Sequence, residues 1–110
     1  MGVFTRSRRK GTHVEVIVDL QAFSLSDNEV VILGSVRNYS PYALTAELGV
    51  EGSIKCSWHP EVVEVGALRE RSVSGLCEFD GSIPQRVRVE VVGRLKDGTP
   101  VRVVKEVRVV

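Results

Sequence analysis

From His13 to the C-terminus the chain keeps an apolar–polar period of two. Val14, Val16, Val18, Leu20 and Ala22 alternate with Glu15, Ile17, Asp19 and Gln21. That is the mark of a half-buried β-strand, whose successive side chains point to opposite faces. The stretch from Leu25 to Glu29 carries turn chemistry in Ser26, Asp27 and Asn28. Val30 to Val36 is apolar on both faces, as expected of a central strand, and Gly34 within it marks a bulge or a close approach of backbone. Leu44, Ala46, Leu48 and Val50 resume the alternation. Ile54, Cys56 and Trp58 then share a face until Pro60 ends the run, and residues 61–65 make a short strand or edge segment. Val73, Cys77 and Phe79 fall in phase, and residues 80–84 lead on to Val87, Val89, Val91 and Leu95. The last strand runs from Val101 to Val109, with Lys105 interrupting its apolar face. Seven or eight strands at a spacing of about ten residues, with no helical period, predict an all-β domain: a single antiparallel Ig-like β-sandwich over residues 13–110.

Two turns can be read to the level of register. A two-residue loop at Asp97-Gly98 would set Val87 against Arg108 and put charge on the apolar face. A three-residue loop, Lys96-Asp97-Gly98, sets Val91 against Val103 and Val87 against Val107, and places Gly98 where a left-handed residue is wanted. The same arithmetic at Val50-Glu51-Gly52 predicts a second hairpin, with Leu48 facing Ile54 and Ala46 facing Cys56.

Between these lies a corner. The Asn38 side chain can satisfy backbone groups at a strand end, Ser40 follows it, and Pro41 forces the chain to turn. Tyr39 and Tyr42 are expected to cover the end of the core. Asn38-Tyr39-Ser40 also spells a glycosylation sequon, but Pro41 beside it and the lack of a visible secretory signal favour the structural reading. The spacing Gly34-x-Val36-x-Asn38-x-Ser40, followed by a strand of alternating apolar residues, resembles the start of the small Ig-like sandwich domains of the FxLYD and CARDB types. This resemblance implies an Ig-like fold and a non-catalytic, adhesive or accessory role. Val65-Gly66-Ala67-Leu68 matches only loosely the Leu-Pro-Gly turn common in those domains, and no binding residues carry over.

Composition narrows the function classes. The apolar fraction is 43%, the charged fraction 26% and the net charge +1, so no global field draws the chain to nucleic acid or membrane. Val dominates, Arg far outnumbers Lys, and Asn, Gln and Met are scarce, which suits a thermophile. No window offers 18 apolar residues in a row, and no apolar run follows the charged N-terminus. The expectation is a cytoplasmic protein without a membrane span. Residues 1–12 stand apart: Arg6, Arg8, Arg9 and Lys10 give this block +4 and leave −3 for the rest. The block reads as a flexible basic arm, with phosphate contact as the functional alternative.

Little in the chain suggests chemistry. Cys56 and Cys77 both fall in phase with apolar neighbours. Buried free thiols are the default in a reducing cytosol, and a disulfide closing a loop of about 20 residues is the alternative. A metal site would rest on Cys56-x-x-His59 with Cys77 and His13, only half of the paired spacing zinc sites show. There is no nucleophile elbow, phosphate-binding glycine loop or zinc-helix motif, so neither an enzyme nor a cofactor is expected. Glu61, Glu64, Glu70 and Glu78, interspersed with Arg, fit solvated strand faces. Arg86, Arg88, Arg94, Arg102 and Arg108 share the outward phase of the last two strands. A nucleic-acid face would interleave exposed aromatics with them, whereas Glu90 and Glu106 stand there instead. The reading is an interaction or accessory module. It binds a protein partner, or a second copy, through loops or an edge strand, the final Val107-Arg108-Val109-Val110 being a candidate edge. A nucleic-acid accessory role, using the arm and the Arg row, is the alternative.

Overall fold

The alternation from His13 onward folds into eight strands, and a ninth precedes them. A computed structural model describes residues 3–6 and 13–110, with side chains from Val16 onward. The strands are β1 (Val3–Arg6), β2 (His13–Ser24), β3 (Glu29–Asn38), β4 (Leu44–Val50), β5 (Lys55–His59), β6 (Val63–Val65), β7 (Arg69–Glu78), β8 (Arg86–Leu95) and β9 (Pro100–Arg108). They form two sheets, ordered β1-β2-β3-β7-β5 and β6-β4-β8-β9. This is the expected antiparallel sandwich. One parallel bridge, Ala22 to Val109, joins the sheets at an edge.

The core is the set of inward positions of both sheets. Its first half gathers Val16, Val18, Val36, Leu44, Ala46, Val63, Val91 and Val103, and its second Ala22, Val30, Ile32, Trp58, Phe79, Val87 and Val89. Leu20 and Leu48 pack against both halves and join them. The β8–β9 hairpin has the predicted register, Val91 opposite Val103 and Val87 opposite Val107, and Gly98 sits at φ +95°. Gly34 marks a close approach, because a Cβ there would lie 1.9 Å from the Asp19 carbonyl oxygen.

Three expectations change. Val50-Glu51-Gly52 is not a hairpin turn. Leu48 pairs with Val91, and the chain crosses to the other sheet, where β5 pairs with β7. Cys56 faces Cys77 there, and Trp58 lies over Gly75, which has no Cβ to obstruct the ring. The phase of Ile54, Cys56 and Trp58 fits either partner strand, so alternation alone could not choose. Ile54 is left 62% exposed. Secondly, Val3–Arg6, read as part of a flexible arm, is a strand on the edge of β2, pairing Val3 with Val16 and Arg6 with His13. An apolar-flanked segment beside an open strand edge gains ladder hydrogen bonds. The remainder of the expected arm, Met1, Gly2 and residues 7–12 with Arg8, Arg9 and Lys10, lies outside the described residues. Thirdly, Tyr39 and Tyr42 do not close the core but stand half exposed. The buried Asn38 and Ser40 do that work.

Candidate interaction site

The free edge of β9 is built by the hydrogen-bond phase of its hairpin. Leu95 N–H donates to the Thr99 carbonyl at 2.9 Å and Val109 N–H to the Gln85 carbonyl at 2.8 Å. Odd-numbered positions of β9 therefore bond to β8. In an antiparallel ladder the alternate residues turn their backbone groups the other way, so Arg102, Val104, Glu106 and Arg108 present N–H and C=O outward. Among the described residues only Val110 finds a partner on that side: its N–H donates to the Ala22 carbonyl at 2.9 Å, and its carbonyl accepts from Ser24 N–H at 3.0 Å. The final residues, expected to be an uncapped edge, are thus tied to β2, and the open part of the edge lies before them.

β2 faces this edge. Since Ala22 and Ser24 turn away from β3, so do Val18 and Leu20 in the same unbroken ladder. Among the described residues β1 covers β2 only from His13 to Val16, and it approaches β9 without pairing to it. Beyond the Ala22–Val109 bridge the two edges diverge into a slot of about 430 Å³. Leu20, Ala22 and Val107 line it together with Lys105, Asp19 and Glu106. Lys105 stands in the inward phase, opposite Val89 and between the buried Val103 and Val107. Its side chain makes no hydrogen bond or ion pair among the described residues. The signal for this slot was in the sequence, as the charge that interrupts the apolar phase of the last strand, but not the strand it faces.

The five outward arginines of β8 and β9 do share the outer face of the second sheet. Arg102 pairs with Glu90 at 2.5 Å and Arg88 with Glu51 at 3.4 Å, while Arg94 donates to the Gly98 carbonyl at 3.0 Å. Arg86 and Arg108 sit directly opposite each other with no carboxylate partner among the described residues. Two of the five arginines are thus ion-paired, one bonds a carbonyl, and two have no carboxylate partner among the described residues.

The outer face of the first sheet holds a feature the sequence reading missed. Phe23, Val31, Leu76 and Ser57 form one cross-strand row, and Gln21, Leu33, Ser74 and His59 the next. Leu33 and Leu76 are 43% and 40% exposed. Val30–Val36 is thus apolar on both faces without being covered on both. Farther along this face the Ser35 hydroxyl and then the Arg37 guanidinium hold the Glu70 carboxyl below the usual carboxylate range, and Glu70 in turn raises Arg37.

The corner is structural, as read. Asn38 Nδ2 donates to the carbonyls of Tyr42, Val65 and Gly66 at 2.7, 3.1 and 3.2 Å, and Oδ1 accepts from Ser40 N–H at 3.0 Å. Ser40 Oγ donates to the Tyr42 carbonyl at 2.7 Å, before Pro41 completes the turn. The sequon nitrogen is buried and fully engaged. Cys56 and Cys77 are bridged, with Cα atoms 4.1 Å apart. Free thiols, the default reading, are therefore set aside, and so is a metal site, since both sulfurs are consumed. His59 lies exposed at the end of β5.

No protein-family model and no curated protein matches the chain. Solved structures similar to it include the YadV chaperone, at 12% identity and a TM-score of 0.63 over 86% of this chain and 50% of that one. Another is a FixG-related protein from Vibrio parahaemolyticus, at 18% identity and a TM-score of 0.50 over 86% and 93%. The chain spans half the length of the YadV chaperone chain. At these identities the likeness is one of fold, that of small all-β domains. The resemblance to FxLYD and CARDB domains therefore stands at the level of fold class.

Proposed function

We propose that this domain is a non-enzymatic protein-interaction module that takes an extended segment of a partner onto the free edge of β9. The observation that carries this reading is the run of outward backbone groups at Arg102, Val104 and Glu106 beside the β2–β9 slot. Such a row is a template for strand addition, in which main-chain bonds supply affinity and alternate side chains supply selectivity. The fold likeness to the YadV chaperone is compatible with a role in handling other chains. The Cys56–Cys77 bridge fits an oxidising compartment or the cytosol of a hyperthermophile. A cytoplasmic location thus goes together with the thermophile-like composition.

Val104→Pro tests the proposal. Proline there removes an outward N–H and leaves the β8 ladder intact, so stability should stay within about 0.5 kcal/mol of wild type. The partner captured by the wild-type domain should be lost by the variant, and in the complex the amides of Arg102, Val104 and Glu106 should exchange more slowly. Equal capture by Val104→Pro would refute the reading. The second reading, a nucleic-acid accessory, rests on the unpaired Arg86 and Arg108 and on the basic residues Arg6, Arg8, Arg9 and Lys10. It predicts retardation of DNA or RNA at low salt that weakens steeply as salt rises.

A further inference from the structure

The inward phase of an edge strand is normally apolar, because that side faces the core. In β9 it reads Val103, Lys105, Val107. Lys105 has neither a carboxylate nor a carbonyl partner among the described residues, although Asp19 and Glu106 line the slot beside it together with Leu20, Ala22 and Val107. We infer that Lys105 selects the incoming strand: the partner segment has the pattern apolar-x-acidic-x-apolar, with its carboxylate meeting Lys105. This deepens the edge-addition reading and rests on it.

The geometry favours the pairing. Lys105 turns its own N–H and C=O toward β8. With respect to an added antiparallel strand it therefore occupies a non-hydrogen-bonded position, where facing side chains come closest. The residues two before and two after the facing one would lie opposite Val103 and Val107 and cover the slot. A lysine placed there also discriminates. A purely apolar strand would bury the ammonium without a partner, which is costly, and a second copy's β9 would bring lysine against lysine when paired about Lys105. An acidic residue converts the same group from an obstacle into a contact, so rejection of wrong strands and recognition of the right one come from one side chain.

Three labelled, blocked nine-residue peptides of alternating threonine and valine serve as probes, the central inward residue being glutamate, lysine or valine. Fluorescence anisotropy with the wild-type domain should show the glutamate probe binding about tenfold more tightly than the lysine probe. Lys105→Glu should reverse that order, and Lys105→Gln should bring the two within about twofold. Circular dichroism confirms that each variant is folded. If wild type binds all three probes equally while Val104→Pro still abolishes binding, the lysine inference is overturned and the edge reading survives. If no probe binds, both are overturned. If the probes are not discriminated and Lys105→Val self-associates in sedimentation, the lysine serves only to keep copies apart and the inference likewise falls.

Discussion

Asn38 is buried and commits its amide and its carbonyl to backbone groups from two separate stretches of chain, 40–42 and 65–66. Its replacement removes the buried bonds to the Val65 carbonyl and the Ser40 N–H, whereas the Tyr42 and Gly66 carbonyls keep Ser40 Oγ and Arg69 N–H as donors. Asn38→Ala should therefore cost about 3 kcal/mol, read by denaturant unfolding, and Ser40→Ala about 1 kcal/mol, since its hydroxyl bridges only the one turn. Asn38→Ala within 0.5 kcal/mol of wild type would contradict the bonding pattern. Glu70 offers a second test at this scale. Its carboxyl is held low in the folded chain by Ser35 and Arg37. A depressed folded pKa means stability that is present above the unfolded value and is lost as pH falls through the folded one. Melting temperature should therefore decline more steeply on the acid side of pH 4.5 in wild type than in Glu70→Gln. The contribution is small because both groups are solvated. Parallel acid limbs would remove Glu70 from the account.

At the scale of elements, two glycines separate close packing from mere exposure. A Cβ on Gly93 of β8 would fall 2.1 Å from the Thr45 carbonyl oxygen on β4, whereas one on Gly49 would meet open space. Gly93→Ala should destabilise by about 3 kcal/mol by forcing β4 and β8 apart. Gly49→Ala should be neutral or stabilise by about 0.5 kcal/mol through reduced freedom of the unfolded chain. Thermal unfolding of the two variants side by side checks the contrast, and equal effects would refute it. The β8–β9 register was legible because its loop is short and a wrong pairing puts Arg108 on the core face. The pairing of β5 was not, since its partner lies across the sandwich and its alternation suits either sheet. The exposed row Phe23, Val31 and Leu76 was missed for a related reason: apolarity reports what a strand could bury, not what covers it.

For the molecule as a whole, the Cys56–Cys77 bridge fastens the edge strand β5 to β7 and links positions 21 apart in the chain. Cys56→Ser or Cys77→Ser should lower the unfolding free energy by about 3 kcal/mol. Alkylation of unfolded chain should find no free thiol before reduction and two after it; two thiols before reduction would rule the bridge out. Fold class, the strand positions from His13 onward, the Asn38–Pro41 corner and the β8–β9 register were determined by the sequence alone, because each rests on local chemistry or on a period of two enforced by burial on one face. Which sheet receives β5, which cysteine state is realised, which outward residues are paired and where an edge stays open were decided only by the tertiary structure. Those outcomes depend on neighbours distant in the chain, and alternation says which way a side chain points but not what it meets.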